Sequence, residues 1–82
     1  MNIKISNIGM NTTDSDLRRL FFQYGKVDSA SVNRNPLNGR PLKTGEVSMP
    51  VPAQARQAIV SLDRTFYEGK MISVSEVPAE LY

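Results

Sequence analysis

Asp14 and Asp16 are the first residues whose types and spacing suggest chemistry, because two nearby carboxylates are the raw material of general acid–base catalysis. Spaced two apart on a helix, however, they do not share a face. They also follow Thr13, a good N-cap, and acids in a first helical turn complement the positive end of the helix dipole. Helix-start chemistry therefore accounts for them. Nothing elsewhere completes a catalytic set, since the chain has no Cys and no His. That removes the thiolate nucleophile, the disulfide, the commonest general base and the commonest transition-metal ligand together. The expectation is a protein that is not an enzyme and needs no cofactor and no metal.

The second group with chemical potential is basic. Net charge is only +2, but no acid occurs between Asp28 and Glu46, and that window holds Arg34, Arg40 and Lys43. The acids gather at Asp14, Asp16, Asp63, Glu68, Glu76 and Glu80. A basic loop over residues 34–43 points to a polyanionic partner, and equally suits an ordinary solvated loop.

These residues sit in a chain of 82 residues, 40% apolar and 22% charged, which is globular composition. One domain over residues 1–82 is expected, with 77–82 as a C-terminal tail. No apolar run approaches the roughly 18 residues needed to span a bilayer. The N-terminus alternates polar and apolar residues in place of a signal-type apolar stretch. A cytoplasmic protein without a membrane partner or small-molecule substrate is the expectation.

The elements that must position these groups follow from periodicity. NIKISN places Ile3 and Ile5 on one side of a strand, Lys4 and Ser6 on the other. Leu17, Leu20, Phe21 and Tyr24 recur at helical spacing over residues 14–24, and Gly25 reads as a left-handed stop. From Val27 a second strand points Ala30 and Val32 inward, Ser31 and Asn33 outward. NPLNGRPL is a loop by its prolines and Asn-Gly turn. A third strand follows, with Gly45, Val47 and Met49 on one side and Thr44, Glu46 and Ser48 on the other. Pro52 suits the start of a helix over 53–62, carried by Ala55, Ala58, Ile59 and Leu62. Thr65 to Tyr67 reads as a short extended arm. In MISVSE, Ile72 and Val74 point inward, Met71, Ser73 and Ser75 outward.

Two helices cannot cover both faces of four strands, so both belong on one face. The fold class is α+β, a ferredoxin-like βαββαβ sandwich with a four-stranded antiparallel sheet. Its expected core is Ile3, Ile5, Leu17, Leu20, Phe21, Val27, Val32, Val47, Ile59, Leu62, Ile72 and Val74. The side holding Thr44, Glu46 and Ser48 is left uncovered.

With these pieces in order, the chain resembles the RNA-recognition motif family, particularly short stand-alone bacterial domains of this type. TTDSDLRRLFFQYGKVDS is similar to the family's first helix, GRPLKTGEVSMP to its third-strand octamer region, and EGKMISV to the start of its fourth strand. The resemblance implies single-stranded RNA bound on the open sheet face, where family members stack bases on aromatics at three positions. Those positions read Lys4, Thr44 and Glu46 here, and the octamer opens on Leu42 with Lys43 one place late. Weak binding of low sequence specificity is the expectation, through Lys4, Ser6, Ser31, Asn33, Arg40, Lys43, Thr44, Glu46, Met71 and Ser73. Lys4, Lys43 and Arg40 would supply charge to one region, the hydroxyls and amide hydrogen bonds, and Met71 a soft apolar surface.

The alternative is a protein-interaction module on the same scaffold, meeting a partner or a second copy of itself, with Phe22 a candidate contact. Small acyl-phosphate hydrolases share the topology, but their phosphate loop needs an arginine after the first strand, and SNIGMNTT has none. Residues 78–82 are expected to lie across the vacant face, bringing Tyr82 over Thr44.

Overall fold

The computed structural model describes residues 1–77, so the expected course of residues 78–82 lies outside the described part. The elements run β1 (Asn2–Ser6), α1 (Asp14–Phe22), β2 (Ser29–Arg34), β3 (Pro41–Ser48), α2 (Pro52–Leu62), β4 (Phe66–Tyr67), β5 (Lys70–Met71) and β6 (Ser73–Val77). Strands β2, β3, β1 and β6 lie side by side in that order, every pairing antiparallel, with β3 and β1 inside. This is the ferredoxin-like α+β arrangement, with one addition. The stretch read as an extended arm folds back on itself, and β4 and β5 form a separate two-stranded hairpin.

One face of the sheet carries the core. Ile3, Ile5, Val32, Val47 and Val74 are buried on it, beneath Leu17 and Phe21 of α1 and Ala55, Ala58 and Leu62 of α2. Helix α1 packs on β2 and β3, and α2 packs on β6. Two expected core residues are less enclosed: Leu20 and Ile59 are only partly buried, because each lies at the margin of its helix's inward stripe. Ile8 and Met49, just beyond the ends of β1 and β3, take full places in the core.

Helix α1 starts as its residues dictate. Thr13 is an N-cap whose side chain accepts the Asp16 N–H, and Asp16 accepts the Thr13 N–H in return. The helix is shorter than expected. It closes at Phe22 in tight turns, Tyr24 N–H to Phe21 O at 3.0 Å and Gly25 N–H to Phe22 O at 3.2 Å, and Gly25 is not a left-handed cap. Gly25 has two other reasons to be glycine: residues with side chains rarely adopt its φ of 154°, and any Cβ there would collide with the Gln54 side chain. Helix α2 lacks a side-chain cap and begins with Pro52, whose missing N–H would have been unpaired there anyway.

The acids have a further use. Asp14 Oδ1 accepts the Val32 N–H at 2.7 Å, and Asp63 Oδ1 accepts the Val74 N–H at 2.9 Å. One carboxylate thus ties down each edge strand, β2 and β6, which would otherwise present unsatisfied donors. Among the described residues, no helix is long and apolar enough to cross a membrane.

Candidate nucleic-acid interface

The face opposite the helices is a lattice of polar side chains whose positions follow from the pairing register. Lys4 stands opposite Glu46 of β3 and Ser75 of β6, while Glu46 also faces Ser31 of β2. The central row therefore reads Ser31, Glu46, Lys4, Ser75. One row along, Ser6 faces Thr44 and Ser73, and Asn33 joins by donating from Nδ2 to Thr44 Oγ1 at 2.9 Å. On the other side Asn2 faces Ser48 and Val77, and Ser48 faces Ser29. Side-chain alternation with period two puts all of these on one side, because the intervening residues are the core.

Seven of the residues expected at the site are thus brought together: Lys4, Ser6, Ser31, Asn33, Thr44, Glu46 and Ser73. Met71 is not on a strand of the four-stranded sheet. It belongs to β5 of the hairpin, paired with Phe66, because the backbone of Arg64 and Thr65 pairs with Ile72 and draws the chain into the hairpin. Arg40 lies beyond the β2–β3 ladder, whose last pair is Arg34 with Pro41. It is six residues from Glu46, up to about 20 Å along an extended strand. Arg40 therefore stands off the paired part of the face that holds Lys4. Lys4 marks the centre of the face, and Arg40 with Lys43 marks one end.

Lys43 is positioned by an unusual backbone. Its φ of 62° lies in the left-handed region, which costs a non-glycine residue roughly 1 kcal/mol. In return its carbonyl accepts the Ile8 N–H at 3.1 Å, tying β3 to the loop after β1. Gly45 next to Thr44 has a packing reason: a Cβ there would fall 2.6 Å from Leu17 Cδ1 and 3.0 Å from the Ser31 carbonyl oxygen. The absence of a side chain lets α1 press on the sheet directly beneath Thr44 and Glu46.

The basic loop is ordered by its own side chains. Asn35 Oδ1 accepts the Leu37 N–H and Asn38 Oδ1 the Arg40 N–H, while Arg34 Nη1 reaches the Gly39 carbonyl oxygen at 3.4 Å. Arg34 is thereby spent partly on the loop itself.

Electrostatically the centre is balanced, Lys4 against Glu46, yet among the described residues the one closed ion pair is Arg19 with Asp16 at 2.6 Å. Both central charges remain exposed to an incoming ligand. A shallow hollow opens beside them, lined by Asn2, Ser29, Ser31, Glu46, Val47 and Ser48. Asn2 and Ser29 were absent from the expected site, although the same alternation that gave Lys4 and Ser31 extends to them. Away from this face, burial raises the Tyr67 hydroxyl above its ordinary value, helped by Glu68 and Asp16.

What the arrangement offers is a row of hydroxyl and amide groups, a cation and a carboxylate, with no aromatic. It can donate to and accept from the edges of flat polar groups. Glu46 can accept from an amino group such as that of cytosine, while repelling a phosphate.

A family model described as RNA recognition motif matches residues 3–73. Scaffold attachment factor B1 of Mus musculus is 35% identical over 79 residues, which is 96% of this chain and 8% of that protein. The crystal structure of RNA binding protein PG1 superposes with a TM-score of 0.93 at 33% identity, covering 100% of this chain and 99% of that one. An Sxl-lethal protein/RNA complex superposes with a TM-score of 0.83 at 29% identity, covering 90% and 46% of the two chains. The chain thus spans only a small part of the curated relative's length.

Proposed function

The chain belongs to the RNA recognition motif family, and from that membership we propose that it binds single-stranded RNA on its open sheet face, aided by the basic loop 34–43. The observation that carries this reading is the polar lattice on β2, β3, β1 and β6, opposite both helices and uncovered among the described residues. Similarity to a structure described as a protein/RNA complex supports the partner class. Binding, not catalysis, is the activity proposed.

The same lattice argues for weak affinity and low sequence specificity. Base–aromatic stacking is worth roughly 1–3 kcal/mol per base. Lys4, Thr44 and Glu46 supply no such surface, so forgoing two or three platforms costs several powers of ten in affinity. Hydrogen bonds from Ser6, Ser31, Asn33 and Ser73 to base edges, with Lys43 and Arg40 toward phosphate, are what remains on the face. A protein-interaction role draws on a different observation, Phe22, which is 64% exposed on α1.

A backbone-amide NMR titration with short mixed-sequence single-stranded RNAs at low salt tests the choice. Shifts at Lys4, Ser31, Thr44 and Glu46 are expected. Unmoved amides with every RNA would overturn the RNA reading in favour of the protein one.

A further inference from the structure

Two large apolar side chains stand just outside the polar lattice. Phe66 is 72% exposed and Met71 46% exposed, and the hairpin pairs them directly. Residues opposite one another in an antiparallel pair project to the same side. Tyr67 and Lys70 take the other side, where Tyr67 packs against the core.

The side holding Phe66 and Met71 continues the open face of the sheet. From Met71 to Ser75 the alternation is unbroken: Met71, Ser73 and Ser75 are exposed, Ile72 and Val74 buried. Met71 therefore projects with Ser73, about 7 Å further along the chain. The Ile72 N–H donates to Thr65 O at 2.9 Å and its carbonyl accepts the Arg64 N–H at 2.8 Å, so hairpin and sheet share one continuous pleat. The hairpin is also held in place. Asn7 Nδ2 donates to the Met71 carbonyl at 2.8 Å, and the buried Thr12 hydroxyl donates to Glu68 Oε1 at 3.0 Å.

Phe66 thus has a fixed place, a free ring and no part in the core. Building on the RNA reading above, we propose that Phe66, with Met71 beside it, is the base-stacking platform of this chain, displaced from the sheet strands to the β4–β5 hairpin. One unstacked base lies on the Phe66 ring against the polarizable Met71 thioether. Its edge is turned toward Asn7, Ser6 and Ser73. The size of the patch selects this occupant. A stable protein interface buries about 800 Å² per partner, far more than two side chains framed by serines and an asparagine provide. A single nucleobase needs no more than that.

The experiment uses the whole 82-residue chain and a short mixed-sequence single-stranded RNA. Phe66→Ala is expected to weaken binding by about fivefold to 150-fold, the range for loss of one stacked base, and to leave the salt dependence unchanged. Phe66→Tyr keeps a ring and retains affinity, while Phe66→Leu keeps only bulk and loses it. Because the chain has no tryptophan, Phe66→Trp places a sole indole there, whose emission is quenched as RNA is added. If wild-type amides at Thr44 and Ser73 shift with RNA but Phe66→Ala or Phe66→Leu binds as tightly, the platform is wrong and the RNA reading survives. If no RNA moves any amide, the RNA reading falls and the platform with it. A concentration-dependent blue shift of the indole without RNA, matched by dimers in sedimentation, would assign Phe66 to self-association and overturn the proposal.

Discussion

Glu46 occupies the centre of the open face, between Ser31 and Lys4. The carboxylate repels phosphate and offers no π surface, so it sets a ceiling on affinity that one substitution should lift. Glu46→Phe removes the charge and adds a ring on an exposed strand position, where aromatics are well tolerated. The lost partner of Lys4 is a cross-strand pair worth about 0.2–1 kcal/mol, small beside the gain. Binding of single-stranded RNA should tighten at least tenfold, which is about 1.4 kcal/mol, with an unchanged amide spectrum outside the sheet face. A protein-interaction module would show no such gain. Its neighbour Gly45 tests packing instead of binding. Gly45→Ala sets a methyl 2.6 Å from the fully buried Leu17 and 3.0 Å from the Ser31 carbonyl, a backbone atom that cannot step aside. Overpacking of this kind costs about 1–3 kcal/mol. Urea denaturation should show that loss as a lower midpoint at constant slope.

At the scale of elements, α1 owes its start to the reciprocal bonds between Thr13 and Asp16. The Thr13 backbone N–H, then the Arg19 guanidinium, hold the Asp16 carboxyl below its ordinary value. A depressed carboxyl stabilises the fold above the unfolded pKa, near 4, and loses that contribution as pH falls through the folded value. Thr13→Ala should cost about 1 kcal/mol at neutral pH. Asp16→Asn should flatten the acid limb of stability against pH, and an unchanged limb would show that the capping box does not govern it. The return bond from the Thr13 N–H to Asp16 comes from the structure, but Thr13 as the cap and the acids as partners of the helix dipole were legible in the sequence. So were the four sheet strands and their inward faces, because period-two alternation leaves one choice of side. The hairpin was not. Phe66-Tyr67 and Lys70-Met71 are too short for a period to show, and the side chains that fasten them to the sheet, Asn7 and Thr12, lie more than 50 residues away in the chain. The place of Arg40 was not legible for a related reason: composition shows how much charge a loop holds, but only the strand register shows where the paired strands end.

For the whole molecule, the distribution of charge decides how RNA binding would respond to salt. Net charge is small, so non-specific attraction is weak, and what electrostatics there is comes from Lys4 at the centre of the face with Lys43 and Arg40 at one end. About three phosphate contacts predict a log–log slope of affinity against salt near −2 for a single strand. Lys43→Ala should flatten that slope by somewhat under one unit and weaken binding alike for every RNA sequence, because a phosphate contact carries no base information. The substitution leaves position 43 with a Cβ in the same left-handed backbone, so the fold keeps its strain and stability should not move. That makes the salt series a clean measure of charge. A wild-type slope near zero alongside genuine amide shifts would mean that base edges and stacking carry the complex without the loop. A slope unaffected by Lys43→Ala but reduced by Lys4→Ala would place the backbone across the centre of the sheet, with the strand running away from residues 34–43.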